Sequence, residues 1–171
     1  NGSTMKVEDN RHRHTPKKIA LVTGGFDPIH SGHIQYLKAA ATYADYLIVG
    51  LNSDEWLTRK KGRPFMPFEE REAILNELLV VDEVISFDDR DNTACHAIEM
   101  VKHLYKDPFN NSFHTPIIFC NGGDRTNDNV PEQDRFKDDE WVSFEFGVGG
   151  ENKKNSSSWI LEDYKNARTE R

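Results

Sequence analysis

No apolar run in this chain approaches the roughly 18 residues of a membrane-spanning helix, and its polar N-terminus lacks the apolar segment of a signal peptide. A cytoplasmic protein without membrane contact is expected. Cysteine is scarce: Cys95 and Cys120 have no metal-ligand spacing and stand in segments that read as helix and strand. Reduced, buried thiols are expected there rather than a disulfide. Positive charge is also short, with 22 Lys and Arg against 29 Asp and Glu for a net charge of −7. That balance argues against nucleic acid as a partner and leaves room for a local basic pocket that takes a small anion. At 171 residues, one domain with one site is expected.

Residues 1–17 (NGSTMKVEDNRHRHTPK) carry no pattern. They are expected to form a disordered tail, with NGST before Met5 as a tag remnant and His12 and His14 part of this arm. In residues 18–171, five short apolar runs rich in branched side chains read as buried strands: 19–23 (IALVT), 46–51 (YLIVGL), 84–87 (VISF), 117–120 (IIFC) and 141–146 (WVSFEF). Segments of helical period lie between and after them, at 32–44, 68–79, 93–106 and about 158–168. Strand–helix alternation with strands this apolar implies a single-domain α/β fold, a Rossmann-like doubly wound sheet of about five parallel strands flanked by helices. Ligands of such sheets sit beyond the carboxyl ends of the strands. Three polar stretches fall there and read as long loops: 52–67, 121–140 and 147–158.

The first strand runs into Gly24-Gly25-Phe26-Asp27-Pro28-Ile29-His30-Ser31-Gly32-His33. Paired glycines let the backbone approach a ligand, and the helix start just beyond them supplies free N–H groups and a positive dipole end. His30 and His33, at i and i+3, can point to the same side and donate hydrogen bonds to phosphate oxygens as charge builds in a transition state. Two other readings stand beside this one: a zinc pair, for which no third ligand has a zinc-like spacing, and a purely structural helix start. His96, His103 and His114 suggest no function.

GGFDPIHSGH resembles the HxGH signature of the cytidylyltransferase-like nucleotidyltransferases. Residues 49–75 (VGLNSDEWLTRKKGRPFMPFEEREAIL) and 81–89 (VDEVISFDD) resemble, within that superfamily, the adenylyltransferases of ADP-heptose synthesis. Asn121-Gly122-Gly123-Asp124 is similar to that group's Gly-Gly-Asp loop, and Ser156-Ser157-Ser158 stands where the superfamily has a Ser/Thr-rich motif before its last helix.

The resemblance implies transfer of AMP or CMP from ATP or CTP to a phosphorylated small-molecule acceptor, a sugar phosphate such as a heptose 1-phosphate, with release of pyrophosphate. Such a reaction asks for positioning and charge neutralisation. By resemblance His30, His33, Lys61 and Arg71 act on the phosphates. The nucleotide would meet Gly25, Phe26 and Asp27 of the motif, Gly123, Asp124 and Arg125, and the three serines. Asn52 and Asp54 would lie near the acceptor or ribose, Mg²⁺ would accompany the triphosphate, and a homodimer is implied.

Blander readings remain beside these. Arg59-Lys60-Lys61 can be a solvated basic loop, Arg71 a surface partner of neighbouring glutamates, Asp27 a turn-former and one serine a helix cap. Arg125 stands where the heptose-type enzymes have an aromatic, and the arginine that the cytidylyltransferases carry before the serines is replaced here by Lys153 and Lys154. Two further activities therefore stay open: a cytidylyltransferase for a polyol or alcohol phosphate, and a nucleotide-binding module without turnover.

Overall fold

The computed structural model describes residues 15–110, 112–123, 130–150 and 157–169. The chain runs β1 (Ile19–Gly24), α1 (Ser31–Ala41), β2 (Tyr46–Leu51), α2 (Asp54–Lys61), α3 (Phe68–Glu77), β3 (Glu83–Ser86), α4 (Cys95–Leu104), β4 (Ile117–Cys120), α5 (Pro131–Phe136), β5 (Val142–Glu145) and α6 (Ser157–Thr169). All five strands are parallel, in the order β3-β2-β1-β4-β5. The order reverses between β1 and β4, so the crevice at this switch point opens above the end of β1, where the glycine–histidine motif begins.

The strands are buried on both faces, which is why they read as unbroken apolar runs. Ile19 and Leu21 of β1 face one core with Ala97, Ile98 and Val101 of α4 and Phe136 of α5. Ala20 and Val22, one residue out of phase, face the other with Leu37 of α1 and Leu75 of α3. Five strands and four helices follow the sequence expectation within a few residues. Two helices do not: α2 lies inside 52–67 and α5 inside 121–140, both expected as loops. In α2, Ser53 caps the N-terminus by accepting from Trp56 N at 3.1 Å, Asp54 and Glu55 fill the first turn, Arg59-Lys60-Lys61 fill the last, and Gly62 ends it at φ +97°. Such a segment is stabilised by caps and dipole complementarity rather than by an apolar stripe, so a search for hydrophobic period passes over it.

Candidate active site

At the end of β1 the need for glycine at position 25 comes from packing. A Cβ there would stand 2.8 Å from Leu57 Cδ2, so α2 closes directly onto the motif only if residue 25 has no side chain. Positive φ falls instead on Phe26, at 48°, a left-handed conformation that a bulky residue holds only when its surroundings impose it. Its ring is buried and meets His33 edge-on at 4.9 Å. Phe26 thus supports the second histidine from below.

His30 is the N-cap of α1 and His33 its third residue, and together they form a capping box. Nδ1 of His30 accepts from Gly32 N at 3.0 Å, and Nδ1 of His33 accepts from His30 N at 3.2 Å. An imidazole whose Nδ1 accepts carries its one proton on Nε2. Burial holds both rings below the ordinary histidine pKa, and burial together with the charge of His30 lowers His33 to about 3. The rings stack with centroids 3.8 Å apart. The pair therefore offers two neutral Nε2–H donors, and among the described residues neither Nε2 has a hydrogen-bond partner. The structural and functional readings of these histidines divide between the two ring nitrogens. Among the described residues no group of three or more His, Cys, Asp or Glu is placed to hold a metal.

Asp27 is buried, and its carboxylate accepts from Phe65 N at 2.6 Å and Met66 N at 2.7 Å. Lys61 Nζ reaches both its Oδ2, at 2.9 Å, and its backbone carbonyl, at 2.6 Å. Asp27 thereby pins the segment after α2 beside the motif, and its own oxygens are taken by protein donors. Lys61 stands beside the motif at the end of α2, its ammonium held by Asp27 rather than free in a solvated loop.

Arg71 is 1% exposed. It donates Nε to Met66 O, Nη1 to Gly25 O and Asn52 O, and Nη2 to Asp54 Oδ1 at 2.6 Å. In place of the surface ion pair with helix glutamates, the guanidinium forms an internal clamp that ties the motif, the end of β2 and the segment before α3 together. Burial of the whole guanidinium against four acceptors is the reason.

Asn52 is buried and Asp54 part-exposed, side by side at the carboxyl end of β2. Ser157 Oγ, at the start of α6, donates to Pro28 O at 2.8 Å, so the N-termini of α6 and α1 meet at the motif. On the β4 side, Tyr36 OH donates to Cys120 O at 2.7 Å, and Gly149, at φ +84°, lies where a Cβ would come within 3.0 Å of Tyr36 Cα. Gly123 follows β4 on this rim. Asp124, Arg125, Lys153, Lys154 and Ser156 lie outside the described residues, as do the side chain of Ser158 and most of the N-terminal tail.

Sequence reasoning missed Asp89, whose buried carboxylate binds Asn52 and Ser53, and the capping role of Ser53. A serine followed by two acidic residues and, six positions on, three basic ones was the available signal for the cap; nothing marked Asp89. A separate cleft of about 730 Å³ lies near the amino ends of β4 and β5, lined by Lys102, His103, Arg135 and Trp141, away from the motif. No helix among the described residues is long and apolar enough to cross a membrane.

The cytidylyltransferase-like family model matches residues 21–143. The bifunctional protein HldE of Sulfurimonas denitrificans is 43% identical over 94 residues, 54% of this chain and 19% of that protein. HldE of Geobacter metallireducens is 38% identical over 120 residues, 69% and 21% of the two chains, and HldE of Aliarcobacter butzleri 33% identical over 151 residues, 87% and 28%. The chain spans 19% to 28% of the length of these relatives. The crystal structure of the lipopolysaccharide core biosynthesis protein from Thermoplasma volcanium superimposes with a TM-score of 0.56 at 24% identity, over 77% of this chain and 93% of that one, and shares its fold. With the motif, the sheet order and the histidine pair in place, the chain belongs to the cytidylyltransferase-like family of nucleotidyltransferases.

Proposed function

We propose that the protein transfers a nucleoside monophosphate, AMP in the first instance, from its triphosphate to a sugar phosphate of the heptose 1-phosphate kind. A phosphate oxygen of the acceptor attacks the α-phosphorus in line, the bond to the β-phosphate oxygen breaks, and pyrophosphate leaves. The observation that carries this reading is the pair of stacked neutral imidazoles, each with Nδ1 satisfied by the backbone and Nε2–H left to donate. Donors fixed in advance serve a transition state in which charge builds on phosphate oxygens, because no reorganisation is needed when the charge appears.

The backbone N–H groups of His30, Gly32 and His33 are taken up within the start of α1, so α1 and α6, which meet at Pro28, bring the positive ends of their dipoles to the phosphate chain, and Lys61 supplies a cation beside them. The resemblance of residues 49–75 to the heptose-type enzymes and the HldE relatives support the sugar phosphate and ATP.

Pyrophosphate release from ATP and CTP, each with a heptose 1-phosphate and with glycerol 3-phosphate, tests the reading. ATP with the sugar phosphate is expected to turn over fastest. CTP with the polyol phosphate would redirect the assignment, and no turnover with any pair would overturn it. His30→Asn keeps a good N-cap and removes the Nε2–H. It is expected to lower kcat about 100-fold or more while nucleotide affinity changes only a few-fold. Equal loss in both would favour a binding module without turnover.

A further inference from the structure

Asp89 lies three residues beyond β3, at the same sheet edge as the motif, and is 3% exposed. Its Oδ2 accepts from Asn52 Nδ2 at 3.0 Å and Ser53 N at 2.8 Å, and its Oδ1 accepts from Ser53 Oγ at 2.8 Å. All three donors come from two consecutive residues at the end of β2. Arg59 Nη2 donates to the Asp89 backbone carbonyl at 2.8 Å, and the same guanidinium holds Asn92 Oδ1. No described cation pairs with the carboxylate itself.

A buried carboxylate without an ion-pair partner is costly, and a neutral side chain could tie β3 to β2 at lower cost. What the charge adds is strong, directed hydrogen bonding to the residues it touches. One of these, Ser53, caps α2 through Trp56 N, and the other, Asn52, presents its carbonyl to Arg71, which in turn grips Asp54. Through Ser53 the carboxylate reaches α2, and through Asn52 it reaches Arg71, whose guanidinium holds Asp54 and also the carbonyl of Gly25 in the motif.

We propose that Asp89 is a positioning residue for the acceptor half of the site, holding Asn52 and Ser53 so that Asp54 and α2 keep the geometry that receives the phosphorylated acceptor. The inference rests on the nucleotidyl-transfer reading. None of the described hydrogen bonds of Asp89 goes to the triphosphate half, built from His30 and His33 on α1 and Ser157 on α6.

In the full chain, Asp89→Asn turns one acceptor oxygen into a donor without changing volume. The Michaelis constant for the acceptor is expected to rise at least tenfold, while the dissociation constant for ATP stays within threefold of wild type. Ser53→Ala should give the same split and Ser53→Thr restore most of it. If the pair acts as one unit, the double variant Asp89→Asn/Ser53→Ala is no worse than the poorer single. An unchanged acceptor constant in Asp89→Asn, or equal losses for acceptor and nucleotide, overturns the proposal.

If wild type turns over no substrate pair, the reaction reading fails, and amide exchange then decides the positioning claim. Asp89→Asn should speed exchange at Trp56 and Leu57 at least tenfold with β1 unaffected. Unchanged protection there, or uniform loss throughout the chain, overturns it. Should Asp89→Asn fail to fold, Ser53→Ala carries both measurements.

Discussion

His33→Gln separates the two uses of the second histidine. Glutamine at the third helical position is what a capping box ordinarily uses, so the variant can still accept from His30 N through its Oε1 while lacking the titrating ring and the N–H that the ring holds in a fixed position. In wild type the folded pKa of His33 is depressed to about 3 by burial and then by His30, against about 6.5 in the unfolded chain. A depressed histidine contributes its full stability above pH 6.5, and that contribution is lost as pH falls toward 3, because the unfolded chain takes up the proton first. The slope in that window is about 1.4 kcal/mol per pH unit, so going from pH 6.5 to 5 costs about 2 kcal/mol. With a urea dependence of about 2 kcal/mol/M, the wild-type midpoint should fall about 1 M further than that of His33→Gln over this range. His30 shifts in the same direction in both proteins and cancels in the comparison. Parallel midpoint curves would refute the depressed, Nδ1-accepting histidine, and turnover within threefold of wild type would remove His33 Nε2–H from the reaction.

Gly25→Ala should cost about 1–3 kcal/mol by urea titration, because its Cβ would stand 2.8 Å from Leu57 Cδ2. In a Leu57→Ala background most of that increment should disappear, and an undiminished cost would point to backbone conformation instead. Arg71→Lys leaves buried carbonyls of Gly25, Asn52 and Met66 short of donors and should destabilise the chain by about 2 kcal/mol or more. A variant of wild-type stability with no turnover would return Arg71 to the phosphates.

Where apolar burial decides the outcome, the elements were legible. β2 and β4 have the bounds their apolar runs announce, since strands covered on both faces must be apolar at every position. α2 and α5 were not, because α2 buries only Leu57 and α5 spans six residues. Within the site, His30 and His33 were legible as a pair at a helix start, yet the division of labour between Nδ1 and Nε2 depends on backbone directions that spacing does not encode. Arg71 shows the opposite case. Its residue type suits phosphate, but Gly25, Met66, Asn52 and Asp54 converge on it from four points of the chain and take its donors.

The sequence by itself determined the α/β class, the end of the sheet to inspect and the ten-residue motif, because periodicity, composition and helix-start chemistry are local properties of the chain. Tertiary structure alone decided that Asp27 pins Lys61, that Arg71 faces inward, that α6 meets α1 at Pro28 and that Asp89 underlies Asn52 and Ser53. Each of those contacts joins residues 17 to 129 positions apart. Hydrogen bonds over such separations depend on strand order and helix placement, and no local pattern records them.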